Sequence, residues 1–90
     1  MPKISSRFIV PNAFGMHARP AALFAKTAVR YEASISVRNG GGFVDGKSII
    51  ELLAIGAVQG TPLTVVADGI DAAEAMQAIQ CLFADAFGEE

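Results

Sequence analysis

The stretch that most limits how this chain folds runs from Ala18 to about Tyr31. At about 100° per residue, Ala21, Phe24, Ala25 and Ala28 fall on one face of a helix, while Arg19, Leu23, Lys26 and Arg30 share a narrow arc opposite. A helix with so narrow an apolar stripe is marginal alone and must lie on another element. The flanking segments supply a sheet. Ala33-Ser34-Ile35-Ser36-Val37-Arg38 alternates apolar and polar residues with period two, the mark of a half-buried strand. Asn39-Gly40-Gly41-Gly42 can adopt positive φ and turn the chain into Phe43-Val44-Asp45, which makes a hairpin. Arg7-Phe8-Ile9-Val10, stopped by the turn pair Pro11-Asn12, and the β-branched run Leu63-Thr64-Val65-Val66-Ala67 complete four strands.

Two more helices follow from their caps. Ser48 is a natural N-cap, and Glu51 three residues on completes a capping box, with Gly56 as the C′ stop. The short helix between them is apolar all round, so some of Ile49, Ile50 and Leu53 should stay exposed and mark a docking surface. Asp71 and Glu74 read as a second capping box. Beyond it Ala75, Met76, Ile79, Leu82 and Phe83 form one face, and Phe83 and Phe87 belong to the core rather than to a cofactor. Cys81 reads as a small core or helix-side residue, and Gly88-Glu89-Glu90 as a tail that frays. Ninety residues fit a single domain, 1–90. The element order predicts an α+β sandwich: three helices on one face of a mainly antiparallel four-stranded sheet.

Charge and composition exclude several function classes. The formal net charge of −2 provides no global basic field for nucleic acid or an anionic membrane. There is no apolar run of about 18 residues for a membrane span, and Met1-Pro2-Lys3-Ile4-Ser5-Ser6 lacks the apolar stretch of a signal peptide, so a cytoplasmic location is expected. A single cysteine forms no internal disulfide and has no metal-ligand neighbours. No metal or cofactor is expected. The glycine run at 40–42 is not followed by the Lys-Ser or Lys-Thr of a phosphate-binding loop and reads as a turn.

The chemistry concentrates at Phe14-Gly15-Met16-His17-Ala18-Arg19-Pro20-Ala21-Ala22-Leu23. Pro20 suits the first helical turn, which puts His17 at or beside the N-cap. The free N–H groups of Ala18 and Arg19 and the positive end of the helix dipole would meet an anion there, and the Arg19 guanidinium matches phosphate geometry. These residues admit two readings, a phosphorylatable histidine or an ordinary surface histidine at a helix start. The basic stripe beside it is likewise either a solvated face or a docking surface. No carboxylate is close in sequence, so no base stands ready to activate water against a phosphohistidine.

Two signatures, Gly15-Met16-His17-Ala18-Arg19-Pro20-Ala21 and Gly46-Lys47-Ser48-Ile49-Ile50, make the chain resemble the HPr family along its whole length. This family comprises the histidine-containing phosphocarriers of the bacterial phosphoenolpyruvate-dependent sugar phosphotransferase system. The resemblance implies an open-faced β-sandwich with sheet order 1-4-2-3 and three helices on one side. It further implies a carrier with a phosphohistidine intermediate rather than an enzyme. His17 would be phosphorylated on Nδ1 by the phospho-form of Enzyme I, with Arg19 and the backbone of Ala18 and Arg19 steadying the phosphate. Ala22, Leu23 and Lys26, with Lys47, Ile49, Ile50 and Leu53, fall where the family docks Enzyme I and EIIA domains. Ser48 occupies the position that a serine kinase/phosphorylase modifies in many members, some of which also contact a transcription regulator. Asp45 stands where many relatives carry asparagine. The implied protein is a monomer without nucleic-acid or membrane partners.

Two alternatives accompany this reading. A carrier of the nitrogen-related branch would feed a regulatory EIIA, and the acidic Phe87-Gly88-Glu89-Glu90 end is somewhat like that branch. A regulatory binding module would instead act through Ser48 and the Ile49-Ile50 patch without passing phosphate on.

Overall fold

The strand signals assemble into one antiparallel sheet. The computed structural model describes residues 2–89. Its strands are β1 (Lys3–Ile9), β2 (Ser34–Arg38), β3 (Phe43–Asp45) and β4 (Pro62–Asp68), in the order β1-β4-β2-β3. The β1–β4 ladder runs from Lys3 opposite Asp68 to Ile9 opposite Pro62, and β2 meets β4 from Ser34 opposite Asp68 to Arg38 opposite Thr64. The hairpin partner β3 adds Ser36 opposite Asp45 through Arg38 opposite Phe43. Helices α1 (Ala18–Ala28), α2 (Ile49–Ala54) and α3 (Ala72–Ala84) accompany this sheet, giving the open-faced α+β sandwich expected from the sequence.

Period-two alternation decides which sheet face is covered. Ile35 and Val37 of β2 and Leu63, Val65 and Ala67 of β4 are buried. Against them pack Ala21, Phe24, Ala25 and Ala28 of α1, Leu52 of α2, and Ala72, Ala75, Met76, Ile79 and Phe83 of α3. Phe83 is the hub: its ring stacks on Phe8 at 4.5 Å between centroids and meets Phe24 and Phe87 edge-on at 6.4 and 5.0 Å. The other sheet face carries Ser5 and Arg7, Ser34 and Arg38, and Asp68, with Arg38 lying over the Phe43 ring at 4.8 Å.

Several local expectations give way to tertiary partners. β1 begins at Lys3, four residues earlier than its propensity indicates, because β4 offers a ladder along its full length and outweighs the weak strand preference of Ser5 and Ser6. Val10 leaves the strand yet stays buried, its N–H donating to Thr61 O at 2.9 Å. α1 ends at Ala28 rather than Tyr31, closed by tighter i to i−3 bonds from Arg30 to Thr27 and from Tyr31 to Ala28. The second capping box does not form. Asp71 is the N-cap residue of α3, but its carboxylate accepts from the backbone N–H groups of Glu32 and Ala33 at 2.9 and 2.8 Å. Its carboxyl is held below the usual value first by the Glu32 bond, with Ala33 adding to it against desolvation. Cys81 is exposed on α3, so it is a helix-side and not a core residue.

Ser48 does cap α2, its hydroxyl accepting from Glu51 N–H at 3.2 Å. The reciprocal bond is diverted: the Glu51 carboxylate accepts from Asp45 N–H at 2.9 Å and ties the cap to β3. Gly56 follows α2 at φ +63°, as a C′ glycine should. Among the described residues no helix is long and apolar enough to cross a membrane, and no group of three or more His, Cys, Asp or Glu side chains could hold a metal ion.

Candidate phosphohistidine site

His17 is the N-cap residue of α1, with extended φ and ψ of −85° and −168°. Its imidazole makes no cap hydrogen bond, so the first-turn N–H groups of Ala18 and Arg19 lack a side-chain cap from it. Pro20 sits in the first turn, buried, where its missing N–H costs no hydrogen bond. The loop before His17 is held from several sides. Met16 N–H donates to Ala57 O at 2.9 Å, His17 N–H to Gly15 O at 2.9 Å, and Gly15 N–H to Asn12 O at 3.1 Å. Gly15 has φ +69°, and a Cβ there would collide with Ala57 O and lie 2.8 Å from Val58 Cα. Only glycine passes.

The imidazole edge is occupied. Its Nε2 lies 3.0 Å from both carboxylate oxygens of Glu89, and Oε1 of the same carboxylate also accepts from Asn12 Nδ2 at 3.0 Å. Asn12 is fully buried and donates its other amide hydrogen to Gly15 O at 2.7 Å. Its Oδ1 has no hydrogen-bond partner among the described residues. The Glu89 side chain is 13% exposed and that of His17 39%. The His17 hydrogen bond holds the Glu89 carboxyl below its usual value, helped by Asn12 and the positive charge of Arg19 against desolvation.

This arrangement corrects two expectations. Of the tail expected to fray, Gly88 and Glu89 are held in place, because Ala86–Gly88 form a short left-handed turn with φ of +49°, +56° and +72° and buried Phe87 pins it to Phe83, while Glu90 lies outside the described residues. A carboxylate does stand beside the histidine. It binds Nε2 and Asn12, however, so its oxygens are engaged rather than free to deprotonate water.

Sequence reasoning missed three residues here. Asn12 reads locally as half of a turn pair and Glu89 as tail; neither has a spacing signal, because their contact spans 77 positions. Phe14 is 81% exposed and presents its ring edge-on to the imidazole at 5.9 Å between centroids. An aromatic in the turn three residues before the chain's one histidine was the signal available for it.

The remaining predicted residues frame the site. Ala18, Arg19 and Lys26 are exposed on α1, and Ala22 and Leu23 are half-buried. α1 packs against α2, on which Ile50 is 79% exposed and Ile49 and Leu53 are also open to solvent. The two patches are therefore neighbours. Lys47 and Ser48 are half-buried, and Lys47 Nζ donates to Tyr31 O at 2.8 Å, tying the turn that follows α1 to the segment that leads into α2.

A family profile described as the phosphorylation site of the HPr component of the phosphotransferase system matches residues 4–85. The chain is 38% identical over 78 residues to phosphocarrier protein HPr of Neisseria meningitidis serogroup A, covering 87% of this chain and 88% of that protein. It is 35% identical over 89 residues to the multiphosphoryl transfer protein of Haemophilus influenzae, where the match covers 96% of this chain but spans only 18% of the relative's length. The crystal structure of HPr-C-His from Thermoanaerobacter tengcongensis superposes with a TM-score of 0.89 at 37% identity, covering 100% of this chain and 99% of the other. A phosphocarrier protein HPr from Bacillus anthracis gives a TM-score of 0.86 at 32% identity, covering 92% and 99%.

Proposed function

The chain belongs to the HPr family, the phosphocarrier component of the phosphotransferase system, and from that membership we propose that His17 receives a phosphoryl group from the phospho-form of Enzyme I and delivers it to a histidine of an EIIA domain. The observation that carries the reading is the position of the chain's one histidine: the N-cap of α1, with a side chain not spent on capping. A phosphoryl group on the ring meets the N–H groups of Ala18 and Arg19, the positive end of the helix dipole and the Arg19 guanidinium.

Transfer needs two histidines in line across one phosphorus, so the reaction is one of positioning and charge stabilisation. Nδ1 attacks as the bond from phosphorus to the donor nitrogen breaks. In the onward step the Nδ1–P bond breaks as the EIIA nitrogen attacks. Docking of both partners uses Ala22, Leu23 and Lys26 of α1 with Lys47, Ile49, Ile50 and Leu53 around α2, and the adjacent exposed Phe14 extends that face.

Ser48 is the regulatory position in this reading. A serine phosphate would add roughly −1.5 to −2 charges at the start of α2, inside the same docking face, and lower affinity for acidic partner surfaces. Incubation with phosphoenolpyruvate and Enzyme I should label the wild type with acid-labile phosphate and leave His17→Ala unlabelled. An unlabelled wild type with a competent Enzyme I would overturn the assignment. A variant that loses function on Ser48→Ala but keeps it on His17→Ala would point instead to a binding module.

A further inference from the structure

Two observations outside the helix N-terminus converge on the imidazole. The chain after α3 makes a reversal through consecutive left-handed residues, Ala86 at φ +49° and Phe87 at φ +56°, neither of which is glycine. Such backbone is unfavourable for residues with a Cβ and persists only where the surroundings impose it. Here Phe87 is buried against Phe83, and the reversal brings Glu89 onto His17 Nε2 and Asn12. The buried Asn12 amide, anchored on Gly15 O, fixes the carboxylate from behind.

An ionised carboxylate only accepts hydrogen bonds. With both of its oxygens 3.0 Å from Nε2, that nitrogen must be the one that carries the proton. The lone pair of the neutral ring then lies on Nδ1.

We propose that Glu89, held by Asn12 and by the Ala86–Phe87 reversal, is a positioning residue for phosphotransfer that keeps the His17 proton on Nε2, fixes the ring's rotation, and so leaves Nδ1 as the nucleophile. The proposal rests on His17 being the phosphoryl acceptor. As the Nδ1–P bond forms and the bond to the donor breaks, the donor nitrogen takes the electron pair. The ring keeps its proton on Nε2 and gains positive character that faces the Glu89 carboxylate. When the phosphoryl group leaves, the pair returns to Nδ1 and no proton has to move. Glu89 and Phe14 contact the ring, Asn12 donates to the Glu89 carboxylate, and the positive charge of Arg19 acts on that same carboxylate.

The test joins nitrogen-15 NMR of the His17 ring, which reads the tautomer directly, to the rate of phosphoryl transfer from phospho-Enzyme I. Wild type should show the neutral ring protonated on Nε2. Glu89→Ala should move it toward the mixture of a free imidazole and slow transfer about three- to tenfold, below the usual loss on removing a histidine's orienting partner because this carboxylate is near solvent. Glu89→Gln, whose carbonyl can still accept the ring proton, should restore the wild-type tautomer and recover part of the rate. A Glu89→Ala protein that takes label at the wild-type rate, or one that slows with its tautomer ratio unchanged, overturns the proposal while leaving His17 as carrier. A wild type that takes no label overturns the carrier reading, and the proposal with it.

Discussion

Asn12 and Glu89 stand 77 positions apart and share a hydrogen bond of 3.0 Å from the buried amide to Oε1 of the carboxylate that holds His17. The same amide donates to Gly15 O at 2.7 Å, so one side chain braces both the loop that presents the histidine and the strap that orients it. Asn12→Ala leaves the Gly15 carbonyl without this donor in a buried setting. Urea denaturation should show a loss of about 1–3 kcal/mol, accompanied by slower phosphoryl transfer.

Gly15→Ala should be at least as damaging. The position combines φ +69° with a Cβ site 2.8 Å from Val58 Cα, so strain and collision add. A loss of about 1–3 kcal/mol is expected from the backbone conformation alone, and thermal unfolding would measure it.

Ser48 separates cap from charge. Ser48→Ala removes the bond from Glu51 N–H and should cost about 1 kcal/mol in denaturant unfolding. Ser48→Asp keeps an acceptor at the N-cap, so stability should stay near wild type while a titration with EIIA reports weaker binding.

Ile50→Glu should leave the fold intact, because the side chain is 79% exposed. Transfer to EIIA should slow, with the Tm unchanged to within about 2 °C, as for a surface substitution away from packed features. A drop in Tm with normal transfer would remove Ile50 from the docking face.

Asp71 predicts an acid-side dependence of stability. Its folded pKa is lowered, so it binds a proton less readily in the native state than in the unfolded chain, and the unfolded state takes up more protons as the pH falls. The stabilisation is therefore complete above the unfolded carboxyl pKa and is lost as the pH falls through the folded one. Asp71→Asn should flatten this part of the stability profile, read by thermal unfolding across the acid range.

How much was legible in the sequence varied with the distance over which each signal acts. The buried faces of α1 and β2 followed from periodicity, because burial repeats with each element's own geometry. The Ser48 cap and the Gly56 stop were legible because cap and capped groups lie within one turn. The Asp71 box failed although its pattern was as good, since a neighbouring chain segment offered the N–H groups of Glu32 and Ala33 to the same carboxylate.

By itself the sequence determined the alternation of elements, the N-cap position of His17 and the apolar exposure around Ile50, all consequences of interactions within a few residues. Only the tertiary structure decided what surrounds the imidazole. Glu89 reaches His17 because packing of Phe87 on Phe83 outweighs the unfavourable turn at Ala86 and Phe87, and Asn12 is waiting there because the Gly15 loop is pinned to Ala57. Neither event leaves a local trace: each is a balance between packing in one part of the molecule and backbone strain in another.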